Sequence, residues 1–538
     1  MPGTLGSLAS TEAFRCAVIA ALVSLPLALF GPSGGDAPAH LYRTFLVEQG
    51  VFVWDNYWYG GHYPLASYSL LYYLPATVFG NESLAVAAAI VSAALFASIA
   101  VREWGRRAVW PGRVFAVLAA GPIFTGTYTY ALGLAALLAS IWALQARRIW
   151  PALLAAALCV GFSPLAYVFL CIAFAAVGLA RARVDRKTVV VGAGLAVLAG
   201  LQAIAIWLFP HDAVYPFRLF ELGVVLAVAA LGAALAFRAE RGRTLALVFV
   251  LWGGVSVVAF LARSPIGENA TRLRGVVFAL VLLAAVLVRF RPVWLAVPAL
   301  ALALGYTLVP YVAVIPYRTD GRPASEAYWA PALDFLRASS GLDYRVEVVP
   351  TADHWEAYWV PRAGFPLARG WYRQLDIAQN ELFYEEPLRA EEYREWLRGM
   401  GVRFVLLPDT QLGRMGEERE ADLLRSGDSG LEEVLATGDW RVYELPGADP
   451  ILTGPGEATV SVHEHDRIAG TVPAAGVYRL AVRHTPYWRV EQGRLCLERA
   501  EDGMTTLVAQ AAGPFALEID DSLGAVVAAA RDRAATDC

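Results

Sequence analysis

Long apolar stretches separated by short polar loops recur from Phe14 to Ile315. A helix of roughly 17–25 apolar residues crosses the hydrocarbon core of a bilayer, which is about 30 Å thick. The pattern predicts about eleven membrane spans: Phe14–Phe30, Glu82–Val101, Arg113–Phe124, Tyr128–Leu144, Trp150–Val160, Pro164–Ala180, Val189–Phe209, Leu219–Phe237, Leu245–Leu261, Leu273–Val288 and Val293–Ile315. Arg113–Phe124 and Trp150–Val160 are short, so their ends must extend or they must lie inside the helix bundle.

The positions of the arginines predict how these spans are oriented. Basic residues concentrate in alternate loops, as the positive-inside rule requires of cytoplasmic loops. These loops contain Arg102–Arg107, Arg147–Arg148, Arg181–Lys187, Arg238–Arg243 and Arg289–Arg291. The alternation holds only if the apolar segment Ala66–Phe79 lies at the outer interface without crossing. We therefore expect a multi-pass protein of the cell membrane, with a cytoplasmic N-terminus, a large first outer loop over residues 31–81 and an extracytoplasmic C-terminal region.

The composition changes sharply after Tyr317, where charged residues become frequent and apolar runs shorten. Residues 318–446 alternate helical and strand patterns, such as a strand at Tyr344–Val349 and a helix at Glu391–Arg398, which predicts an α/β domain. Residues 447–538 contain short strands separated by Gly and Pro, a pattern typical of a small β-sandwich. The predicted architecture is an α-helical polytopic membrane domain over residues 1–317, followed by these two extracytoplasmic domains.

The overall composition also indicates a membrane protein, because 57% of the residues are hydrophobic and only 17% are charged. The net charge of −4 gives no indication of a nucleic-acid partner, and none is expected. The cysteines form no CxxC pair or Cys/His cluster, so neither a zinc site nor a redox site is expected. A disulfide between Cys496 and Cys538 stays open, because spacing alone does not establish its geometry. Lys187 is the only lysine, which suggests a GC-rich bacterial genome.

Asp36 stands just beyond the first apolar segment, and His40 follows four residues later. An ionisable group at the membrane rim is costly to keep, so it is a functional candidate. The spacing places both side chains on one helix face. There they are candidate catalytic groups, since a carboxylate and an imidazole can act as general bases, and Asp36 can also bind a divalent cation such as Mg or Mn. The alternative is that Asp36 only caps a helix that begins near Pro38.

The first outer loop contains a dense group of aromatic and polar residues suited to bind a sugar or an acceptor: Trp54, Asp55, Asn56, Tyr59, His62 and Tyr63. Gly60–Gly61 lets the backbone turn tightly or approach a ligand. Trp and Tyr are also favoured at membrane interfaces whatever the function of the protein. A sugar-binding loop and an interfacial aromatic belt are therefore alternatives.

A second outer loop, over residues 263–274, carries arginines against the positive-inside pattern. Guanidinium groups bind phosphate oxygens bidentately, so Arg272 and Arg274 are predicted to hold the phosphate of a lipid-linked donor. Glu268 and Asn269 lie beside them in the sequence and belong to the same predicted site. The alternative is that Glu268 and Arg272 simply form an ion pair at i, i+4.

Four stretches of the sequence carry a resemblance to known families. They are Gly35-Asp36-Ala-Pro-Ala-His40-Leu-Tyr-Arg, the run Trp54…Tyr59-Gly-Gly-His-Tyr-Pro-Leu, Gly267-Glu-Asn-Ala-Thr-Arg272-Leu, and Leu367-Ala-Arg369-Gly-Trp371-Tyr-Arg-Gln374-Leu-Asp376. With an acidic residue after the first span and an outer C-terminal domain, the chain resembles the GT-C superfamily of integral membrane glycosyltransferases, which use polyprenyl-phosphate-linked sugars. It is also similar to bacterial membrane proteins labelled 6-pyruvoyl-tetrahydropterin-synthase-related.

The GT-C resemblance implies that Asp36 matches the acidic residue of the first outer loop and serves as catalytic base or metal ligand. Many GT-C loops carry two adjacent acidic residues, whereas Gly and Ala flank Asp36 here. Arg369, Trp371 and Gln374 are expected to contribute to sugar or acceptor binding. The pterin label has no counterpart in the residues, because the seven histidines are dispersed and form no zinc-binding cluster.

Two functions of different classes remain open at this point. The first is an inverting transferase that moves a sugar from polyprenyl phosphate to an extracytoplasmic glycan, lipid or protein acceptor in cell-envelope synthesis. The second is a non-catalytic membrane scaffold or lipid-glycan transporter whose outer domain binds glycan. A buried pair between Asp36 and either Arg43 or Arg272, without a cavity, would favour the second function.

Overall fold

A computed structural model describes residues 2–66, 68–181, 185–312, 315, 320–385, 387–414 and 416–531. The chain divides into two units. Unit 1 comprises Met1–Ala37, Tyr68–Ala205 and Ala213–Pro316, and unit 2 comprises Pro38–Ser67, Ile206–Asp212 and Tyr317–Cys538. The predicted domain boundary at residues 317/318 and the Cys496–Cys538 pair both involve residues outside the described ranges.

Most of the first outer loop belongs to unit 2, whereas the sequence assigned residues 31–81 to the membrane domain. Hydrogen bonds to the turn at residues 463–465 explain the difference. The backbone N–H of Asn56 donates to the carbonyl of His465 at 2.7 Å, and the Tyr57 hydroxyl donates to the carbonyl of His463 at 2.8 Å. These bonds join Pro38–Ser67 to residues more than 400 positions away, a pairing that local sequence patterns do not report.

Apolar helices form nearly all of unit 1. In chain order the first fourteen helices are α1 (Pro2–Phe30), α2 (Ala37–Glu48), α3 (Tyr73–Phe79), α4 (Asn81–Trp104), α5 (Val109–Leu118), α6 (Gly121–Thr125), α7 (Tyr128–Gln145), α8 (Ile149–Phe162), α9 (Pro164–Arg181), α10 (Arg186–Leu208), α11 (Leu219–Phe237), α12 (Arg243–Leu261), α13 (Arg274–Leu287) and α14 (Val293–Val312). Helix α2 lies in unit 2 except for its first residue. Short 3-10 segments cover Gly105–Ala108 and Gly267–Leu273.

Nine helical runs of the described residues are long and apolar enough to cross a membrane, which gives the chain multi-pass membrane character. The predicted count of eleven is not confirmed. The run Asn81–Thr125 contains two predicted spans, and the helix Ile149–Phe162, at 14 residues, is shorter than the nine. Helix α3 has 7 residues, too few to cross, as expected of a segment that does not span the membrane. Large apolar side chains such as Leu22 and Phe30 are exposed, as lipid contact requires.

Small residues allow the helices of unit 1 to approach one another closely. Cys16, Ala20, Ala93, Ala97 and Ala116 form one buried cluster among α1, α4 and α5. Membrane helices associate through such small side chains, because lipid supplies no hydrophobic drive between helices.

A buried ion pair joins two of these helices. Glu12 on α1 is only 2% exposed and accepts two hydrogen bonds from the Arg113 guanidinium on α5, each at 3.1 Å. The bidentate geometry satisfies both carboxylate oxygens inside the helix bundle.

The rest of unit 2 contains an α/β part and a β-rich part. Its remaining elements are α15 (Glu326–Ser339), β1 (Arg345–Val348), α16 (Glu356–Arg362), α17 (Arg373–Gln379), α18 (Ala390–Met400), β2 (Val402–Pro408), α19 (Glu417–Ser426), β3 (Glu432–Ala436), β4 (Trp440–Glu444), β5 (Leu452–Thr453), β6 (Thr459–His463), β7 (Arg467–Val472), β8 (Gly476–Arg483), β9 (Trp488–Gln492), β10 (Leu495–Arg499), β11 (Met504–Ala509), β12 (Gly513–Ile519) and α20 (Leu523–Arg531).

Three four-stranded sheets organise this unit, in the orders β1-β2-β4-β3, β10-β11-β8-β5 and β6-β7-β12-β9. In the first sheet β1 and β2 are parallel, so a helical crossover connects them, as the predicted α/β pattern requires. The other two sheets are antiparallel, and their buried residues form one common core. On β8, Tyr478, Leu480 and Val482 point into this core while Val477 is exposed. The two sheets therefore pack as the predicted sandwich.

Candidate functional site

Asp36 lies in a loop of unit 1 that packs against the turn after α6. Its backbone N–H donates to the carbonyl of Thr125 at 3.3 Å, and the N–H of Ala37 donates to Gly34 at 2.8 Å. Gly126 has φ +78°, and a Cβ there would lie 2.6 Å from the nitrogen of Ala37. A Cβ at Gly34 would lie 2.0 Å from the nitrogen of Gly126. The two glycines thus allow the contact that positions Asp36, and this contact does not use the Asp36 side chain.

Arg272 is the ionic partner of Asp36 within the same unit. Its Nη2 lies 3.6 Å from Asp36 Oδ2, and the two side chains are 24% and 28% exposed. This separation is beyond hydrogen-bond distance, so the pair is a loose one. Other groups hold the guanidinium, since Arg272 Nε donates to Asn269 Oδ1 at 2.8 Å and Tyr68 also hydrogen bonds to it. Arg272 is therefore fixed beside Asp36 without depending on it.

The loop that carries Arg272 holds a second arginine. Arg274 Nη1 lies 3.5 Å from Glu268 Oε1, and both side chains are partly exposed. The Thr307 hydroxyl of α14 donates to the carbonyl of Arg274 at 2.7 Å, which joins the start of α13 to α14. The structure thus places all four predicted phosphate-site residues in one loop, and Arg272 brings that loop to Asp36.

Binding of a divalent cation by Asp36 stays a prediction. Within the described residues there is no group of three or more His, Cys, Asp or Glu that could hold a metal ion. The charged neighbour of Asp36 is a guanidinium, which has no lone pair to donate and would repel a second cation. His40, 1% exposed, belongs to unit 2, so its joint action with Asp36 stays a prediction.

The aromatic loop is part of the interior of unit 2. Six predicted sugar-binding side chains are each less than a tenth exposed: Trp54, Asp55, Asn56, Tyr59, His62 and Tyr63. Trp54 Nε1 donates to Asn56 Oδ1 at 2.7 Å, and the Tyr59 hydroxyl donates to the carbonyl of Gly370 at 2.7 Å. These contacts favour core packing over either an open sugar-binding surface or an interfacial belt. Sugar binding by these side chains stays a prediction.

His465 also contacts the aromatic loop, although no sequence pattern predicted it as a site residue. The Asp55 carboxylate, fully buried, lies 2.9 Å from His465 Nδ1 and 3.6 Å from His62 Nδ1. Burial alone would raise the pKa of Asp55, but the hydrogen bond and charge of His465 outweigh it and lower that pKa. Burial lowers the pKa of His62 to about 4, so His62 is neutral near pH 7. The one available sequence signal was the occurrence of two histidines, His463 and His465, in one short turn.

Arg369 is buried in a cluster of ionisable groups in the α/β part of unit 2. Its Nη2 lies 2.7 Å from both Glu347 Oε1 and Glu420 Oε2, and its guanidinium stacks on the Phe383 ring. Burial raises the pKa of Glu347, and the negative charge of Glu420 raises it further. The positive charge of Arg369 lowers the pKa but does not cancel these effects, so the pKa of Glu347 lies well above its ordinary value. A single cation between two buried carboxylates indicates a structural role for Arg369.

The other predicted acceptor-binding residues differ in exposure. Gln374 is 8% exposed, whereas the Trp371 ring is partly exposed and stacks on His354 at 3.5 Å between centroids. Asp376 accepts from Asn380 and from the Tyr384 hydroxyl inside the unit. Trp371 is thus partly exposed, with His354 stacked on its ring and the Arg373 guanidinium 5.0 Å from the ring centroid.

Comparisons with known proteins give no family assignment. No protein-family model matches the chain, and no curated protein is significantly similar to it. The resemblance to GT-C glycosyltransferases therefore depends on the sequence motifs alone.

Replacing Arg369 by Met should destabilise unit 2 strongly. It leaves Glu347 and Glu420 buried without their cation, and removing one partner of a buried ion pair costs about 3–5 kcal/mol. Arg337→Met is the matched control, because Arg337 pairs with Asp334 on the surface, where such pairs contribute roughly 0–1 kcal/mol. Thermal unfolding of the full chain in detergent measures the stability of both variants. Equal changes in unfolding temperature for Arg369→Met and Arg337→Met would contradict the structural role of Arg369.

Glu347→Gln should make the stability less dependent on pH. Because the folded-state pKa of Glu347 is raised, the stabilisation from this group is fully present below its ordinary value of 4.5 and is lost as pH rises through the raised pKa. Glutamine keeps an oxygen for Arg369 and does not ionise. The unfolding temperature of the wild type should therefore fall relative to the variant as pH rises above 4.5. If the unfolding temperatures of the wild type and of Glu347→Gln change with pH in the same way, the raised pKa of Glu347 is contradicted.

Gly126→Ala should destabilise the Asp36 loop. The added Cβ meets backbone nitrogen atoms at 2.6 and 2.8 Å, and φ of +78° is strained for alanine, together at about 1–3 kcal/mol. Gly178→Ala in α9 is the control, because nothing lies within 4 Å of its added Cβ and alanine favours a helix. The unfolding temperature should fall for Gly126→Ala and be unchanged or higher for Gly178→Ala; the same response in both would show that the loop contact is unimportant.

Proposed function

We propose that the chain is an integral membrane glycosyltransferase that transfers a sugar from a polyprenyl-phosphate donor to an extracytoplasmic glycan, lipid or protein acceptor. The observation that carries this proposal is the placement of a partly exposed carboxylate, Asp36, 3.6 Å from a partly exposed arginine, Arg272. Both lie at the ends of apolar segments in unit 1. A carboxylate for the acceptor and a guanidinium for the donor phosphate are the two groups that such a reaction needs.

The reaction follows from the chemistry of these two groups. An Asp36 oxygen accepts the proton of the acceptor hydroxyl, and the acceptor oxygen attacks the anomeric carbon. The bond from that carbon to the phosphate oxygen breaks, and polyprenyl phosphate leaves with the bonding electrons. Arg272 stabilises the negative charge that develops on this phosphate. One displacement inverts the anomeric carbon.

The way Arg272 is held supports its role as a phosphate ligand. Its Nε is engaged by Asn269, while the contact of Nη2 with Asp36 is longer than a hydrogen bond. A phosphate oxygen at hydrogen-bond distance from an Nη group would bond more closely than Asp36 does. Arg274 carries a second positive charge in the same loop for the same donor. In the proposed orientation Asp36 faces the outer side of a bacterial cell membrane.

A non-catalytic scaffold or lipid-glycan transporter is the second candidate. The observation that favours it is the same Asp36–Arg272 contact, since an ion pair between two segments of unit 1 can serve stability alone. The exposure of both side chains speaks against this, because a partly solvated pair contributes little to stability. The two functions differ in what they require of Asp36, which is a proton acceptor in one and only a negative charge in the other.

Asp36→Asn should abolish transfer without lowering stability. Asparagine keeps the size of the side chain, and the loop is held by backbone contacts that the change leaves in place. It cannot accept the proton, and loss of a general base costs about 10²- to 10⁴-fold in rate. Sugar transfer from a polyprenyl-phosphate donor in reconstituted bilayers is the measurement, with the unfolding temperature determined on the same samples.

Asp334→Asn is the matched control for this variant. It removes a carboxylate that also pairs with an arginine, at an exposed position of α15. Its transfer rate should equal that of the wild type. Wild-type activity in Asp36→Asn would exclude the proposed base.

Exchanging the two charges separates the candidate functions. The double variant Asp36→Arg with Arg272→Asp restores an ion pair of opposite orientation, so a structural pair should recover the stability that either single variant loses. The enzyme requires the carboxylate and the guanidinium at their own positions, and transfer should stay abolished in the double variant. Recovery of transfer together with stability would contradict the proposed mechanism.

A further inference from the structure

Helix α20 of unit 2 has an exposed apolar face that the proposed transfer step does not use. Leu523 is 84% exposed, and Val527, four residues later, is 50% exposed. Gly524 and Ala528 lie beside them and are exposed as well. Up to its last residue the helix contains no charged side chain. A helix face in water normally carries polar or charged side chains, so this face indicates an apolar surrounding.

The opposite face holds α20 on the β-sandwich. Val526 and Ala529 pack in the common core of the two antiparallel sheets. Ser522 fixes the start of the helix, because its hydroxyl accepts from the backbone N–H of Ala525 at 3.1 Å and its carbonyl accepts from the N–H of Val526 at 3.0 Å. The exposed face of α20 is therefore a fixed part of the surface of unit 2.

The end of a membrane-length helix belongs to the same unit. Helix α10 is long and apolar enough to cross a membrane, and its residues from Ile206 onward lie in unit 2. Tyr487 connects this end to α20. Its hydroxyl donates to the carbonyl of Leu208 at 2.9 Å, and its own carbonyl accepts from the N–H of Asp520 at 2.9 Å. Asp520 lies three residues before Leu523, so one tyrosine spans from the end of α10 to the segment that begins α20.

The end of α10 marks the level of the bilayer surface within unit 2. Ile206 and Trp207 are each about half exposed, and tryptophan is favoured where a membrane meets water. Helix α20 has 9 residues and is about 14 Å long, less than half of the hydrocarbon thickness of about 30 Å. It is thus long enough to lie in the interface and too short to cross it.

We infer that α20 lies in the lipid–water interface, with Leu523 and Val527 in contact with acyl chains of the bilayer. Continuity with the apolar end of α10 favours lipid as the occupant of this face. The chain after α20 carries Asp532, Arg533 and Asp537, whose charges do not match an apolar surface. The contact holds unit 2 at the bilayer surface, and it does not depend on the proposed transfer step.

Photo-crosslinking of the full chain identifies what covers α20. The photoreactive residue p-benzoylphenylalanine replaces Leu523, and in a second variant Val527, in protein reconstituted into vesicles of phosphatidylethanolamine and phosphatidylglycerol. Mass spectrometry after irradiation should find phospholipid adducts of both variants. The matched control carries the same residue in place of Val477, which is 61% exposed on β8 and about 20 Å along that strand from Arg483, the end nearer Tyr487 in the chain.

The control should give at least tenfold fewer lipid adducts than the α20 variants. Equal lipid labelling of the Val477 variant, or none at either position of α20, would overturn the inference. A chain–chain adduct as the main product would also overturn it, because a second copy would then cover the helix.

Hydrogen exchange tests the same contact without a photoreactive group. In lipid, Leu523→Glu places a charge among acyl chains and should raise the exchange rate of the α20 backbone amides in the same vesicles by about tenfold or more. In water a glutamate in the first turn would stabilise the helix and slow this exchange, so the two surroundings predict opposite signs. Val477→Glu should leave the exchange of α20 unchanged. Unchanged or slower exchange of α20 in Leu523→Glu would contradict the lipid contact.

Discussion

A carboxylate at the edge of a hydrocarbon layer needs water or a cation beside it, and in unit 1 Asp36 is 28% exposed and lies beside Arg272. The Asp36–Arg272 contact of 3.6 Å compensates charge, while the exposure of both side chains leaves room for other groups. Two glycines make the arrangement attainable, because the loop of Asp36 contacts the turn at Gly126 backbone to backbone. The chemistry proposed for unit 1 therefore depends on a packing detail in which neither charged side chain takes part.

The two units handle buried polar groups in different ways. In unit 1 the buried Glu12 pairs with Arg113 of another helix, and a buried hydroxyl such as that of Ser256 hydrogen bonds within its own helix. In unit 2, Arg369 bridges two glutamates, and Asp55 collects hydrogen bonds from three residues. Such networks are costly when one partner is missing, so they fix a single arrangement of the segments that supply them. The network around Asp55 fixes Pro38–Ser67 within unit 2.

Local patterns in the sequence predicted the elements well and their associations poorly. Hydrophobic length located the apolar helices, and strand patterns located β1 and the short strands of the C-terminal region, because these features depend on neighbouring residues alone. The count of spans was uncertain where helices are short or continuous, as in Asn81–Thr125. Charge against the positive-inside trend drew attention to Arg272, which lies beside Asp36, while its role as a phosphate ligand stays a prediction. The burial of Asp55, its contact with His465 and the pairing of Arg369 depend on residues distant in the sequence, which no spacing reveals.

Determining an experimental structure of the full chain in a lipid nanodisc with bound polyprenyl phosphate would test the central claim most directly. The account predicts that a phosphate oxygen lies within hydrogen-bond distance of the Arg272 guanidinium, about 2.7–2.9 Å, with the Asp36 carboxylate adjacent and open to the acceptor side. A polyprenyl phosphate bound away from Arg272, with the Asp36–Arg272 contact intact, would contradict it.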